Sequence, residues 1–319
     1  MKKVTVGLVV HRIKYLEKSI PSLLAQDYPN IEYIIRDNEE GVHSSYDFIK
    51  KNFPDLFPKI IFQKGTNNMH SGGHNSIIQK MTGEIYFCTS NDIVYPPNMV
   101  TEFVKAFEKN PDYTFATCIS HRWDYENDKH TNIIDSYGIG IKKYHHYFDI
   151  GQGEEDNGQY KNIFELFGSS GSLIAFKKSA LDSIKYKDEY FDELLQNKND
   201  VDLSYRLQWA GNRCMLLTNI IVYHDRQDSR QKDKSFAVKN YSLKGDFAVL
   251  TKNFSKRYPL SIKIQTAIYK YLKLCYLFIS TPGLIKEYLK IRKLKNKFLE
   301  KRKSAKFIKP ESEIIKLMS

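Results

Sequence analysis

The residues best suited to chemistry lie in the second half of the chain. Asp200 and Asp202 open a segment with helical spacing, and His224 follows about one helix and one strand later. A carboxylate can deprotonate an attacking hydroxyl group, and a carboxylate with an imidazole can hold a divalent cation. The alternative for this stretch alone is an acidic helix amino terminus, which the helix dipole favours, followed by a surface histidine. The elements that position these residues decide between the two.

Strands and helices alternate along the chain. Residues 4–10 are apolar and rich in valine, which predicts a buried strand, and the apolar positions of 16–24 fall on one helical face. Similar patterns predict strands at 33–35, 59–62, 85–88, 172–176 and 220–223, and helices at 73–81, 97–110, from about 200 and after 235. Residues 120–165 are predicted to form loops or a few antiparallel strands. This order indicates an α/β fold with a mostly parallel central sheet flanked by helices.

Two aspartates come directly after predicted strands. Asp37 follows the strand at 33–35, and Asp92 follows the strand at 85–88. Ligands of such sheets bind beyond the carboxyl ends of the strands, so both positions favour a role in binding. The alternatives are that Asp37 satisfies backbone amides in its turn and that Asp200 caps its helix.

Asp200 and Asp202 are predicted to do different work. Two residues differ by about 200° around a helix, so the two carboxylates do not share a face. Asp202 lies four residues before Arg206, the spacing of a helical ion pair, and it is predicted to be structural. Three histidines, His121, His145 and His146, are predicted to lie on the surface.

The positive charge of the chain is concentrated in its tail. The chain carries a net charge of +12, from 49 Lys or Arg and 37 Asp or Glu. Residues 263–319 hold 15 basic and 4 acidic residues, a balance of +11, which leaves 34 basic and 33 acidic residues in 1–262. A nucleic-acid-binding domain spreads basic charge over its own groove. A nearly neutral main body therefore indicates no nucleic-acid partner.

The tail pattern favours a membrane surface. Apolar and aromatic residues interleave with lysines over 269–279 and 289–295, as in helices that lie on anionic membranes. The alternative is a helix that packs on the main body with a solvated basic face. No signal peptide and no apolar run of about 18 residues is present, and the four cysteines form no pair at metal or disulfide spacing. We expect a cytoplasmic protein, peripheral at the inner face of the cell membrane.

Several motifs occur together in one order. They are Val9-Val10-His11-Arg12, Arg36-Asp37-Asn38, Asn67-Asn68 with Ser71-Gly72-Gly73-His74-Asn75, the run from Gly83 to Pro97 with Asp92, Phe191-Asp192-Glu193, Asp200-Val201-Asp202-Leu203, and His224. With them, residues 3–226 resemble the inverting family-2 glycosyltransferases of the GT-A fold, similar to bacterial enzymes that add single sugars to surface polysaccharides. Gly168 to Ser172 matches the family's small-residue segment beside the acceptor.

The resemblance implies a role for each matched residue. Asp200 is the expected catalytic base, and Asp92 and His224 are the expected ligands of a divalent cation, Mn²⁺ or Mg²⁺. The expected donor-binding residues are Val10, Arg12, Asp37, Asn68, Gly73, Asn75 and Asp92. The implied substrates are a nucleotide-sugar donor and a glycan or lipid-linked acceptor. The catalytic domain is expected to cover 1–235 and a basic helical extension 236–319, which we expect to be dispensable for the chemistry.

Two departures from the family pattern leave alternatives open. Ser90 stands where a second polar or acidic residue of the metal motif is usual, and Asn199 replaces the usual glutamate before the base. Both changes alter the local charge without removing a residue that the reaction needs. The alternatives are a nucleotide-sugar-binding protein without catalysis and a nucleotidyltransferase. The Gln-x-x-Arg-Trp signature of processive members does not occur, which indicates a single transfer.

Overall fold

The computed structural model describes residues 1–11, 13–38, 44–226 and 234–319. Its strands are β1 Val4–Val10, β2 Ile31–Asp37, β3 Ile60–Lys64, β4 Ile85–Thr89, β5 Ile93–Val94, β6 Phe115–Asp124, β7 Lys129–Ser136, β8 Ile139–Ile141, β9 Tyr147–Asp149, β10 Glu165–Leu166, β11 Leu173–Lys177 and β12 Cys214–His224. Its helices are α1 Leu16–Leu24, α2 Ser45–Asn52, α3 Met69–Ile78, α4 Met99–Lys109, α5 Lys178–Ser183, α6 Asn199–Trp209, α7 Phe236–Asn253, α8 Leu260–Ser280, α9 Leu284–Lys293, α10 Lys295–Lys303 and α11 Glu311–Lys316. Short 3-10 turns cover Ile13–Tyr15 and Phe57–Lys59.

The strands build one large mixed sheet that helices cover. Its order is β10-β12-β6-β11-β4-β1-β2-β3, with β5 paired to β12 and β7 paired to β6. The strands β4, β1, β2 and β3 are parallel, as the alternating pattern predicts. The sheet becomes mixed because β11 runs antiparallel to both β4 and β6. The predicted antiparallel strands of 120–165 are present as β6 to β10.

The glycine-rich segment is helical rather than a turn. Ser71, Gly72 and Gly73 lie inside α3, which begins at Met69 and not near residue 73 as the sequence predicts. A Cβ atom on Gly73 would lie 2.7 Å from both methyl groups of Val9 on β1. Glycine therefore lets the helix lie directly on the central strand, and the segment fixes the helix position rather than forming a loop.

The basic tail is built into the core of the main body. Trp209 and Tyr205 of α6 share one apolar cluster with Ile314 and Met318 at the end of the chain. A second cluster joins Leu195 to side chains of α7, α8, α9 and α10. The main chain contributes as well, since the Ser319 amide donates to the Ile141 carbonyl at 2.9 Å.

A buried ionic cluster ties the same parts together. Lys252 Nζ lies 2.6 Å from an oxygen of Asp192 and 2.8 Å from an oxygen of Asp202. Lys301 on α10 reaches the other oxygen of Asp192 at 2.6 Å. Arg206 donates to Asp202 at 2.9 Å, so the predicted structural role of Asp202 is confirmed.

The prediction that three histidines lie on the surface is wrong. His145 is buried with Nδ1 at 3.0 Å from Thr266 Oγ1, and His146 Nδ1 lies 2.7 Å from the Tyr269 hydroxyl. Both therefore pack against α8 of the tail. His121 is buried beside Asp156, with 2.8 Å between Nε2 and the carboxylate.

Within the described residues, none of the helices is long and apolar enough to cross a membrane. The longest apolar candidate, α8, carries Lys263, Lys270 and Lys273 along its length.

Candidate active site

Strand pairing brings Asp92 and His224 together. Asp92 lies in the turn between β4 and β5, and β5 pairs with the end of β12 so that His224 stands opposite Ile93. The Asp225 amide donates to the Asp92 carbonyl at 3.0 Å, which holds the turn against this strand end. Asp92 Oδ2 consequently lies 3.5 Å from His224 Nε2. His224 lies 132 positions after Asp92 in the sequence, and the pairing of the two-residue strand β5 with β12 brings the two side chains together.

A buried carboxylate orients the imidazole from behind. Asp135 on β7 accepts from His224 Nδ1 at 2.8 Å, so Nε2 is the nitrogen that faces Asp92. Arg226 Nε contacts the other oxygen of Asp135 at 2.8 Å, and its guanidinium reaches Asp149 at 2.7 Å. The sequence patterns missed Asp135, because nothing local marks its partner. Arg226 had a signal, since it lies two residues after His224 and strand residues at that spacing share a face.

The charges of this group fix the protonation of its members. Burial alone lowers the pKa of His224, but Asp92 and Asp135 outweigh burial and raise that pKa to about 10. Burial raises the pKa of Asp92, while His224 and the hydroxyl of Ser90 outweigh it and lower the pKa to about 2. Asp92 is therefore a carboxylate at neutral pH, with one oxygen bonded to Ser90 at 2.5 Å and the other facing His224.

This donor set fits a divalent cation. A carboxylate oxygen and an imidazole nitrogen separated by 3.5 Å can both contact one ion, and Mn²⁺ or Mg²⁺ accepts ligands of these types. Because the raised pKa keeps His224 protonated at neutral pH, binding an ion requires release of the Nε2 proton, which the charge of the ion favours. The hydrogen bond that the far nitrogen donates to Asp135 is the usual arrangement around histidine ligands of metals. The Ser90 hydroxyl donates to the other oxygen of Asp92 and helps to orient this carboxylate.

Asp200 lies at the same edge of the sheet. The register pairs Leu173 of β11 with Thr89 of β4, so the residues just before β11 lie beside the turn that carries Asp92. One of these residues, Gly171, donates its amide to Asp200 Oδ2 at 3.1 Å. The Val201 amide donates to Oδ1 at 2.8 Å. The small-residue segment therefore holds the carboxylate that the sequence predicts to be the base.

The surroundings of Asp200 raise its pKa. Burial is the largest cause, and the negative charge of Asp149 adds to it, while the amides of Val201 and Gly171 and the charge of Arg226 oppose the shift. A carboxylate whose pKa is raised holds a proton more strongly, which suits a general base. Asp202 points away to Lys252, so the two aspartates have different surroundings, as their helical spacing predicts.

The residues predicted to bind a nucleotide have different environments. The side chain of Val10 is buried in the core, and its carbonyl accepts from the Asn38 amide at 3.2 Å. Asp37 accepts from the Ser44 hydroxyl and the Tyr46 amide at 2.9 and 3.2 Å, so it holds the start of α2. Asn68 precedes α3, and its side-chain nitrogen Nδ2 donates to the Ser76 hydroxyl at 3.3 Å. Gly73 packs on β1 as described, and Arg12 lies outside the described residues.

Asn75 has a structural role that the sequence did not predict. Its side-chain oxygen accepts from the Tyr190 and Phe191 amides at 2.9 Å each. Its side-chain nitrogen donates to the Phe191 carbonyl and to Glu193, also at 2.9 Å. The amide group is buried and its hydrogen-bonding capacity is used. Through these contacts Asn75 ties α3 to the Phe-Asp-Glu segment, and its contact with the donor stays a prediction.

A second group of possible metal ligands lies nearby. Among the described residues, His70, His74 and Cys88 have potential ligand atoms within 4.8 Å of one another. The two ring nitrogens of His74 already contact the Tyr86 hydroxyl at 2.5 Å and the Cys88 sulfur at 3.3 Å. Burial raises the pKa of the Cys88 thiol and so disfavours the thiolate that a metal needs. This group is a packed hydrogen-bonded core beneath the site.

Residues 8–184 match the family described as Glycosyl transferase family 2. The match covers more than half of the chain. The chain belongs to glycosyl transferase family 2. The matched range ends before Asp200 and His224 and includes Asp37, Asp92 and Asp135. A Rickettsia typhi protein described as an uncharacterized glycosyltransferase is 23% identical over 286 residues, which are 88% of this chain and 80% of that protein.

Solved structures with the same fold include three nucleotide complexes. GalNAc-T7 with UDP, GalNAc and Mn²⁺ aligns with a TM-score of 0.56 and 13% identity, over 79% of this chain and 48% of that one, so this chain spans about half its length. The mannosyltransferase PcManGT of Pyrobaculum calidifontis with GDP-Man and Mn²⁺ aligns with a TM-score of 0.55 and 12% identity, over 95% and 86%. TarS 1-349 of S. aureus with UDP aligns with a TM-score of 0.53 and 14% identity, over 86% and 72%. This family-2 chain has the predicted GT-A fold.

Proposed function

We propose that this family-2 glycosyltransferase moves a single sugar from a nucleotide-diphosphate donor to a glycan or lipid-linked acceptor, with inversion. We propose that the transfer belongs to the synthesis of a surface polysaccharide such as capsule or lipopolysaccharide. The observation that carries the proposal is the buried Asp200 beside the Asp92 and His224 pair at one edge of the sheet. A base and a cation site in one place suit the attack of a hydroxyl group on a sugar that leaves a diphosphate.

The donor and the cation are assigned to the ends of the first strands. Asp92 and His224 would hold Mn²⁺ or Mg²⁺, and the bound cation would neutralise the negative charge on the departing diphosphate. Asp135 fixes the His224 ring for this task. Two of the structural relatives contain Mn²⁺ with a nucleotide or nucleotide sugar, which supports the assignment. Asp37, Asn68 and the backbone at Val10 would contact the nucleoside, with Arg12 assigned by resemblance alone.

Asp200 is assigned as the base that accepts the proton of the acceptor hydroxyl. The oxygen then bonds to the anomeric carbon as the bond to the donor phosphate breaks, and the electron pair leaves with the diphosphate. One displacement from the opposite side inverts the anomeric centre. The Gly171 amide positions the carboxylate, and burial makes it a stronger base than an exposed aspartate.

The tail is assigned to the inner face of the cell membrane. The outward side of α8 exposes a helical row of apolar side chains, among them Leu260, Ile264, Ile268, Leu272 and Ile279. Exposed cations of α9 and α10 flank it, among them Lys286, Arg292, Lys293 and Lys295. An apolar row with basic flanks suits a helix that lies in an anionic interface. The inward side of the same helix packs on the main body, and the outward row is the face assigned to the membrane.

A donor panel tests the proposal. The protein is incubated with UDP-sugars and GDP-sugars in Mn²⁺, and released nucleotide diphosphate and pyrophosphate are measured separately. Release of nucleotide diphosphate that stops with a chelator supports a metal-dependent glycosyltransferase. Release of pyrophosphate would support a nucleotidyltransferase instead, and binding of a donor without turnover would support a binding protein.

A further inference from the structure

A large cavity lies between the catalytic part and the tail. It has a volume of about 700 Å³ and is walled by residues 145–149, by the segment before α6, and by α7 and α8. A cavity of this size matches those that bind small organic ligands. The metal ligands Asp92 and His224 do not line it, so it is separate from the place assigned to the cation.

The walls of the cavity carry more positive than negative charge. Lys198 and Lys273 both pair with the single carboxylate of Asp246, which leaves one of the two charges uncompensated. Lys234 adds another positive charge to the cavity wall. Within the described residues, no carboxylate lies within ion-pair distance of Lys234. Lys239 also lines the cavity, with its ammonium 3.4 Å from Thr281 Oγ1. Among the described residues, at least two positive charges therefore face the cavity without a balancing carboxylate.

The cavity reaches the catalytic base. Arg226 and Asp149 line it and bond to each other at 2.7 Å. The charges of both act on Asp200, and Lys198, which also lines the cavity, lies two residues before Asp200 in the chain, so the proposed base lies close to this wall. A molecule that places a hydroxyl group at Asp200 can extend past Arg226 into the basic space.

Residues of the tail also line the cavity. Tyr147 and Tyr269 supply aromatic wall, and Leu272 and Tyr276 line the cavity while most of each side chain is exposed. Leu272 belongs to the apolar row of α8. The cavity therefore connects the base to the side of the molecule assigned to the membrane.

We propose that this cavity binds a phosphate group carried by the acceptor, while the acceptor hydroxyl lies at Asp200. The assignment rests on the proposed glycosyltransferase function. A phosphate dianion matches two uncompensated cations, whereas a single carboxylate leaves one of them unpaired. Lysines are suited to phosphate because their charges approach it as separate points.

Two phosphate probes test the cavity and separate the sources of the phosphate. Farnesyl diphosphate stands for a lipid-linked phosphate, glycerol 1-phosphate for a water-soluble one, and farnesol and glycerol are the neutral partners. Binding is measured by calorimetry on the full chain in UDP or GDP with Mn²⁺. The variant Lys234→Gln/Lys273→Gln removes two cavity charges. The control Lys51→Gln/Lys109→Gln removes two exposed charges from α2 and α4, so the net charge of the two proteins is equal.

At least one phosphate probe is expected to bind the unaltered protein without displacing the nucleotide. The cavity variant is expected to bind that probe about tenfold more weakly, and the control is expected to bind it like the unaltered protein. Preference for farnesyl diphosphate indicates a lipid-linked acceptor, and equal binding of both indicates recognition of the phosphate alone. Equal loss in the control, displacement of the nucleotide, or binding of the neutral partners as tightly would overturn the proposal. Failure of the proposed function is distinct, because it shows as absent binding of nucleotide with Mn²⁺ in the unaltered protein.

Discussion

Asp200 combines a raised pKa with a position in which the Gly171 and Val201 amides donate to its carboxylate. Its pKa in the folded protein lies above the ordinary aspartate value of 3.8, with burial as the main cause. At neutral pH the ionised group therefore opposes folding, since the folded state binds its proton more strongly than the unfolded state. That cost is present above the folded pKa and disappears as pH falls below the unfolded pKa. Burial of an uncompensated carboxylate is typical of a functional site.

The first prediction follows from the destabilising effect of the ionised Asp200 at neutral pH. Asp200→Asn should be as stable as the parent protein or more stable at pH 7, because the buried charge is removed and the amide oxygen still accepts from Gly171. Thermal unfolding at pH 7 measures the effect. Asp202→Asn is the control from the same helix, and it should lower the melting temperature because it breaks contacts with Lys252 and Arg206. A clear loss of stability in Asp200→Asn would show that the carboxylate is structural.

The second prediction concerns Asp135. Exchange to Asn removes the charge behind His224 and should weaken Mn²⁺ binding by about 10–100-fold, the usual effect of losing such a partner. Calorimetric titration with Mn²⁺ in UDP or GDP measures it. Asp156→Asn is a matched control, because it alters another buried carboxylate and histidine pair, that of His121. Equal affinity in Asp135→Asn and the parent protein would contradict the metal role of His224.

The sequence predicts single residues well where their contacts are local. The pairing of Asp202 with Arg206 follows from helical spacing, and β1 has the predicted bounds of 4–10. Asp135 was missed because its partner lies 89 residues away and is reached through sheet pairing. The four protein contacts of Asn75 could not be predicted, because a polar residue in a motif does not reveal which distant groups bond to it.

At the level of the elements, α8 has one buried face and one exposed face. Its inward side packs through Ile262, Thr266 and Leu277, which are buried. Its outward side carries the exposed apolar row, which no described residue covers. The apolar and basic pattern of the sequence could not separate these faces, because both contain large apolar residues. The structure assigns each residue to one side.

The third prediction tests the outward face. Ile264→Ser/Ile268→Ser/Ile279→Ser should reduce binding to vesicles with anionic lipid several-fold, since each change removes exposed apolar area from the interface. Flotation or sedimentation with vesicles measures binding. Binding by the parent protein should also weaken at high salt, because screening shortens the reach of the basic flanks.

The control for that experiment alters exposed apolar residues elsewhere. Ile61→Ser/Phe164→Ser changes side chains that are about half exposed on other elements. It should bind vesicles like the parent protein. Equal loss in both variants, or no vesicle binding by the parent, would show that the α8 row does not bind membranes.

At the level of the whole molecule, the tail supports the catalytic part. Residues of α8 to α11 complete two apolar clusters, and Lys301 neutralises Asp192 of the Phe-Asp-Glu segment. Removal of the tail would expose both clusters, so we expect a truncated chain to lose stability. The sequence could not show this, because the tail's partners are distant and its basic composition is typical of solvated helices.

The fourth prediction concerns the buried ionic cluster. Lys252→Met should destabilise the protein by about 3–5 kcal/mol at pH 7, because it takes a charge from between two buried carboxylates. Burial raises the pKa of Asp192, but Lys252 and Lys301 outweigh it and lower that pKa below 3.8. The stability from Asp192 is thus present above the unfolded pKa and is lost as pH falls below about 4.

Denaturant unfolding at pH 7 and pH 3 measures both effects. The parent protein should lose stability between the two values, and Lys252→Met should lose less because the pKa of Asp192 is less depressed. Lys256→Met, at an exposed position after α7, is the control and should match the parent. An unchanged stability in Lys252→Met would contradict the role of the cluster in holding the tail.

The assignment of Asp200 as the base is tested by comparing the parent protein with Asp200→Asn. The rate of sugar transfer and the affinity for the donor are both measured in Mn²⁺. We predict that Asp200→Asn binds the donor nearly as tightly as the parent protein does. Its transfer rate should fall by about a thousandfold or more, within the range expected for loss of a base. The parent rate should rise with pH along an acid limb that lies above the ordinary aspartate value. A variant that keeps more than about a tenth of the parent rate would contradict the assignment of Asp200 as the base.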